Sequence, residues 1–306
     1  MDAEDMKILH VVPGLSEKWN GISVAAKMIA GQQLKSGVEV DLVETRDFIA
    51  SSFASDLRSF DEIWVHSMWL PITLRACLKV VLSRRRLVRM THANLDPLRY
   101  HYHGWKKKLF APVEWLLFKF TQRVVVTCEA EKAWCQMWGL KNEFEVLDMK
   151  KFFDLGADGS RSRTKDGSLH VLYLGRRHPL KGVEYLEEAV EEIWRKEKGE
   201  GRKCGVELRI VSNAFGEEKE KVWEWCDVLV LPTLSENFGL VVAEALERGK
   251  YAITTDGAPA WEPEGSKKEK GKVKKCGRII YLCGFRDGVE EERVRLLKGV
   301  LEGLLA

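Results

Sequence analysis

Asp227 to Asp256, DVLVLPTLSENFGLVVAEALERGKYAITTD, reads as strand, loop, helix and strand. Pro232 closes the first apolar run, Asn237 suits a helix N-cap, and Gly249 can take the left-handed position after the helix. A strand, a crossover helix and a second strand within some thirty residues imply a parallel pair, because parallel strands need such a connection. Working outward, short β-branched runs alternate with amphipathic stretches almost end to end. The upstream runs are Lys7–Val12, Val38–Val43, Glu62–His66, Arg86–Thr91, Arg123–Cys128 and Phe144–Leu147. Those around the quoted segment are His170–Leu174, Val206–Val211 and Arg278–Leu282, and a last amphipathic helix spans Glu290–Leu305. Ile22, Ala25, Ala26, Ile29 and Leu34 fall on one face of a helix that stops near Gly37. This alternation predicts an α/β protein with doubly wound parallel sheets.

The rhythm breaks once. Gly156 to Ser168, GADGSRSRTKDGS, has no apolar periodicity and reads as a linker. It divides the 306 residues into domains at 1–158 and 159–306. Ligands of such sheets bind outside the carboxyl ends of the strands, so loops of both domains are expected to face a common cleft.

Composition narrows the classes. Lys and Arg number 49 against 46 Asp and Glu, a net charge of +3 that gives no argument for nucleic acid. The seven cysteines contain no CxxC pair, so zinc and dithiol motifs are absent and reduced thiols are expected. No run reaches the ~18 apolar residues of a membrane span. Met1 to Met6 is acidic, unlike a secretory signal. A soluble, cytoplasmic protein is expected, with any membrane contact peripheral and at the inner face.

Candidate site residues gather in two loops of the second half. Ser235-Glu236-Asn237-Phe238-Gly239 leads into a helix whose first amides suit an anion, and Gly239 permits close backbone approach. Glu244 stands eight residues beyond Glu236, about 12 Å along a helix, too far to share a proton but suited to holding two ends of an elongated ligand. Glu244 lies amid Val241, Val242, Ala243, Ala245 and Leu246, where a buried carboxylate needs partners such as sugar hydroxyls. The other loop is Gly175-Arg176-Arg177-His178-Pro179-Leu180-Lys181-Gly182, neither a Walker A loop nor a dinucleotide fingerprint. Its Arg fork and Lys point charge suit a diphosphate.

SENFGLVVAEAL with Gly249 and the strand after it, together with Gly175-Arg176 and Lys181-Gly182, resembles the donor site of retaining GT-B glycosyltransferases of family 4. The likeness is strongest to enzymes that build lipopolysaccharide and other surface glycans. It implies two Rossmann-like domains, the C-terminal one trimmed, and transfer of a hexose from a UDP- or GDP-sugar to a glycan or lipid-linked acceptor. No cofactor and no metal are implied. By resemblance Glu236 contacts the donor sugar, Glu244 the ribose, Arg176 and Lys181 the diphosphate, and the backbone of Phe238, Gly239 and Leu240 the sugar and phosphates. Gly21 corresponds to the second glycine of a pair that approaches the phosphates; Asn20 replaces the first. Thr91-His92-Ala93 follows a strand where the family has a histidine, which makes His92 the second catalytic candidate beside Glu236. His10, His66 and His170 read as structural, whereas His101 and His103 lie in a loop suited to the acceptor side. Asp148 to Asp154 departs from the family pattern at the domain junction. A nucleotide-sugar epimerase, a phosphorylase or a non-catalytic nucleotide-sugar-binding protein would use the same architecture.

Two basic stretches stand apart. Residues 105–123 mix Lys106, Lys107, Lys108 and Lys119 with Trp105, Trp115, Leu116 and Phe120. They fit either a core-facing helix with a solvated lysine edge or a helix docking on an anionic membrane. The lysines at 267, 268, 270, 272, 274 and 275 read as a solvated loop.

Overall fold

The computed structural model describes residues 6–15, 21–50, 56–102, 104–156, 167–202, 205–212, 214–264 and 270–305. The chain divides into two compact units, Met1–Phe152 and Phe153–Ala306. In the first, β1 (Lys7–Val12), α1 (Gly21–Lys35), β2 (Glu39–Glu44), α2 (Thr45–Ala50), β3 (Glu62–His66), α3 (Pro71–Leu82) and β4 (Arg86–Met90) follow in turn. Next come α4 (Pro97–His101), α5 (Gly104–Lys119), β5 (Thr121–Val126), α6 (Glu129–Met137) and β6 (Glu143–Val146). The six strands form one parallel sheet in the order β2-β1-β3-β4-β5-β6. β3 is buried at every position, as expected of a strand covered on both faces.

The second unit contains β7 (Leu169–Leu174), α7 (Val183–Gly199), β8 (Val206–Val211), α8 (Gly216–Trp225), β9 (Val228–Leu231) and α9 (Leu240–Glu247). It ends with β10 (Tyr251–Thr255), β11 (Val273–Cys276), β12 (Ile279–Leu282) and α10 (Glu290–Leu305). Its sheet runs β11-β12-β10-β9-β7-β8, parallel except for the β11–β12 pair. In both sheets the strand order reverses beside the first strand, between β1 and β3 and between β7 and β9. That reversal is where open α/β sheets hold ligands.

Several expectations need correction. The 273–276 stretch is an edge strand rather than a loop, with Lys274 and Lys275 on it. VKKC lacks apolar alternation, and charged residues commonly guard a sheet edge. Leu34 is 53% exposed, so the apolar face of α1 ends at Ala30. The sequence leaves open a return of the last helix to the first domain. Within the second unit α10 packs on α7, tied by Lys298–Glu192 at 2.8 Å and Lys196–Glu302 at 2.9 Å. Of the linker, residues 157–166 lie outside the described residues, as do Asn20, His103, Lys267 and Lys268.

Among the described residues the most buried ion pair lies in the first unit. Arg89 on β4 and Glu114 on α5 are 1% and 0% exposed, with 2.6 Å between Nη1 and Oε2. Glu114 Oε1 also accepts the amide of Trp69 at 2.8 Å, and the guanidinium lies 4.4 Å over the Phe118 ring. Removing one partner strands a buried charge. Glu114→Ala is expected to cost about 3–5 kcal/mol, read as a lower urea midpoint.

Candidate functional site

The candidate site of the second unit is built from loops that follow β7, β9 and β10. Leu180 O, in the β7 loop, accepts Leu234 N at 2.9 Å and the Thr233 hydroxyl at 2.9 Å from the β9 loop. Gly182 has φ +60°, and a methyl there would overlap the carbonyl oxygen of Pro232. Gly257, after β10, is packed as tightly against Thr233, and its carbonyl accepts Glu236 N at 2.7 Å. These contacts set the separation of the loops before any side chain is considered.

On this base Lys181 and Glu236 come together as an ion pair between Nζ and Oε2. The side chains are 20% and 16% exposed. Glu236 Oε1 accepts Asn237 N at 3.0 Å. Asn237 is therefore not the helix N-cap. Gly239 fills that position at φ +74°, so α9 starts at Leu240. A left-handed turn at a glycine costs little, and it offers no side-chain acceptor to the first amides of α9. Phe238 is 2% exposed, its carbonyl accepts the Trp261 indole N–H, and its ring stacks on Phe153 at 5.9 Å. Arg176 is exposed. Arg177 forms a two-point ion pair with Glu187, at 2.5 and 2.8 Å.

Glu244 has a partner within the protein. Its neighbours Val242, Ala243, Ala245 and Leu246 take the buried face of α9, while its own side chain stays 20% exposed. Its partner is Lys219 of α8, with Nζ 2.8 Å from Oε1 and 2.7 Å from Oε2. The carboxylate is largely enclosed, with Oε2 buried, and its charge is met by Lys219.

Gly21 and His92 belong to the first unit. Gly21 is the exposed first residue of α1. His92 is only 3% exposed and sits with Ala93 in left-handed backbone, at φ 50° and 55°. The buried Glu131 of α6 holds this turn: its Oε1 accepts the Thr91 hydroxyl at 2.6 Å and Ala93 N at 2.5 Å. Ser67 and Trp69, just beyond β3, are left-handed too. Strain of this kind in residues other than glycine collects at functional sites. His92 Nε2 lies 2.9 Å from His66 Nδ1, and His66 Nε2 lies 2.8 Å from His10 Nδ1. Burial lowers His10 to about 4 and His92 to about 3, and pushes His66 well below its ordinary value. Sequence reasoning set His10 and His66 apart from His92. The signal that unites them is that they belong to three neighbouring strands, His10 within β1, His66 at the end of β3 and His92 two residues past β4. Glu131, Thr233, Gly257 and Trp261 left no local signal, since their roles depend on distant segments.

Residues 168–273 match the family model described as glycosyl transferases group 1. That stretch contains every second-unit site residue named above except Phe153. No curated protein sequence matches the chain. Among solved structures, sucrose-phosphate synthase from Thermosynechococcus elongatus is similar with a TM-score of 0.58 and 12% identity, covering 97% of this chain and 90% of that one. The lipopolysaccharide outer core galactosyltransferase WaaB, in its apo form, has a TM-score of 0.53 and 13% identity, covering 98% and 92%. UDP-GlcNAc 2-epimerase from Neisseria meningitidis, bound to UDP-GlcNAc, has a TM-score of 0.51 and 13% identity, covering 97% and 92%. At such identities the likeness is one of fold, and the paired Rossmann-like sheets are those of GT-B proteins.

The buried histidines fix a pH dependence. Folded His10 and His92 take up protons only near pH 4 and 3, whereas unfolded imidazoles do so below about 6.5. The unfolded state thus binds more protons on acidification. This contribution to stability is complete above about pH 6.5 and is lost as pH falls toward 4. His10→Gln is expected to lower the slope of unfolding free energy against pH by about 1.4 kcal/mol per unit between about pH 6 and 4.5, measured by urea titration at each pH.

Proposed function

We propose that the protein transfers a hexose from a nucleotide-diphosphate sugar to a hydroxyl of a glycan or lipid-linked acceptor, retaining the anomeric configuration, in the synthesis of lipopolysaccharide or another surface polysaccharide. One observation carries the reading. Lys181 and Glu236 meet on the loops beyond β7 and β9, at the strand-order reversal and inside the segment that matches the group 1 glycosyl transferases.

The chemistry follows from the groups present. Charge grows on a diphosphate as the glycosidic bond breaks, and cations held in place lower that barrier. Lys181 and Arg176 are assigned this role, with the amides of Gly239 and Leu240 at the start of α9 adding oriented donors. A diphosphate that engages the Lys181 ammonium releases Glu236 Oε2, which then accepts a hydroxyl of the donor sugar. Glu244 is assigned the ribose hydroxyls, which compete with Lys219 for its oxygens. On the first unit, His92 is assigned a sugar or acceptor hydroxyl and Gly21 the close approach of a phosphate.

Helix α5 supports a lipid-linked acceptor. Phe110, Glu114, Leu117 and Phe118 form its inner face. Its outer face exposes Trp105 (69%), Leu109 (68%), Val113 and Leu116 in steps of four and three residues, and Phe120 continues the line. Lys106, Lys108 and Lys119 flank the stripe, with Lys119 Nζ 3.8 Å over the Trp115 ring. The helix thus has both a core face and an apolar outer face edged with cations. Cations beside exposed aromatic and aliphatic side chains suit contact with an anionic membrane surface.

A thermal-shift screen of UDP-, GDP- and ADP-sugars tests the donor assignment. The matching donor is expected to stabilise the fold by about 2.7 kcal/mol at a hundred times Kd, and Arg176→Ala with Lys181→Ala to abolish the shift. Glu236→Ala is expected to keep the shift while lowering transfer to acceptor about 10²–10³-fold. Turnover of a labelled donor that needs no acceptor would point to an epimerase instead. Separately, Lys106, Lys107 and Lys108 changed together to Glu should weaken sedimentation with phosphatidylserine-containing vesicles. Unchanged sedimentation would leave α5 as a helix of the core alone.

A further inference from the structure

The three buried histidines of the first unit form a chain that ends on a fixed amide. His10 Nε2 lies 2.8 Å from Gln33 Oε1 on α1, His10 Nδ1 lies 2.8 Å from His66 Nε2, and His66 Nδ1 lies 2.9 Å from His92 Nε2. The rings belong to adjacent strands or their ends, and are 0%, 0% and 3% exposed. Burial keeps all three neutral, so each carries a single N–H.

That count leaves two arrangements. Each nitrogen–nitrogen contact needs one hydrogen, so the polarity of one contact dictates the next. Gln33 Oε1 accepts, which places the His10 hydrogen on Nε2 and leaves Nδ1 bare. His66 must then donate from Nε2, which leaves its own Nδ1 bare, and His92 must donate from Nε2 in turn. We propose that Gln33 fixes the tautomer of His92 through His10 and His66, so that His92 carries its hydrogen on Nε2 and any group bonded at Nδ1 must donate to it. Gln33, His10 and His66 are positioning residues in this arrangement. The strained backbone at His92 and Ala93, clamped by Glu131, holds the last ring in register with the chain. A bare Nδ1 selects a ligand hydroxyl as hydrogen donor, which deepens the role of His92 and in that respect rests on the proposed function.

Ring-nitrogen NMR of the full chain, labelled with 15N, tests the assignment directly, because a bare imidazole nitrogen resonates far downfield of a protonated one. In the wild type His92 is expected to show a bare Nδ1 and a protonated Nε2. Gln33→Glu keeps an acceptor facing His10 and should preserve that pattern. Gln33→Leu removes it and should bring both His92 nitrogens to intermediate shifts as the two polarities interconvert. A wild-type His92 protonated on Nδ1, or ring shifts unchanged in Gln33→Leu, would overturn the proposal. With the donor found by thermal shift, Gln33→Leu should lower kcat about tenfold or more with KM unchanged, since a wrong tautomer alone is costly in triad enzymes, and Gln33→Glu should rescue it. Absence of turnover in every form would count against glycosyl transfer and leave the nitrogen shifts decisive for the tautomer.

Discussion

The carbonyl oxygen of Leu180 is shared by the backbone amide of Leu234 and the hydroxyl of Thr233, and through it two loops that are distant in sequence become one surface. Gly182 and Gly257 are the conditions for this contact, since a methyl at either would overlap backbone of the facing loop. Once the loops are joined, the Lys181 ammonium and the Glu236 carboxylate have little choice but to meet. The ion pair follows from the backbone. It also keeps two half-buried charges compensated while no ligand is present, which avoids the desolvation cost that either would bear alone.

The first unit solves a comparable problem with side chains. Its strands end in a left-handed turn at His92 that backbone preference opposes, and one buried carboxylate, Glu131, accepts hydrogen bonds from both sides of that turn. Glu131 Oε2 accepts the amide and hydroxyl of Thr127 as well, so α6, β4 and the end of β5 converge on a single residue. The His10–His66–His92 row runs diagonally across β1, β3 and β4 toward that turn, His10 being in register with Trp64 and His66 with Met90. Placing it there needs a histidine on each of three neighbouring parallel strands at successively later register, within β1, at the end of β3 and two residues past β4.

Much of this was legible in the sequence, and for identifiable reasons. Strands such as Lys7–Val12, Glu62–His66 and Tyr251–Thr255 are apolar runs buried on both faces, so composition alone delimits them. β11 was not legible, because an edge strand needs no apolar face and VKKC offers none. Lys181 and Glu236 stood out as opposite charges beside glycine turns, and the structure brings them together as an ion pair while Arg176 is exposed. Glu244 stood out as a carboxylate amid apolar residues that needs a partner, whereas Lys219, 25 residues away on another helix, left no local sign that it would be that partner. Glu131 and Gln33 were invisible, as nothing local distinguishes a clamp or a tautomer-setting amide from an ordinary polar residue.

The outer face of α5 has a practical corollary. An uncovered row of tryptophan, leucine and phenylalanine in water invites any apolar surface to cover it, whether tubing, chromatography matrix or other copies of the same chain. Recovery from plain buffer should therefore depend on salt and concentration. A mild non-ionic detergent below the level that unfolds the chain should act on this protein as a solubiliser, by lying along that one helix.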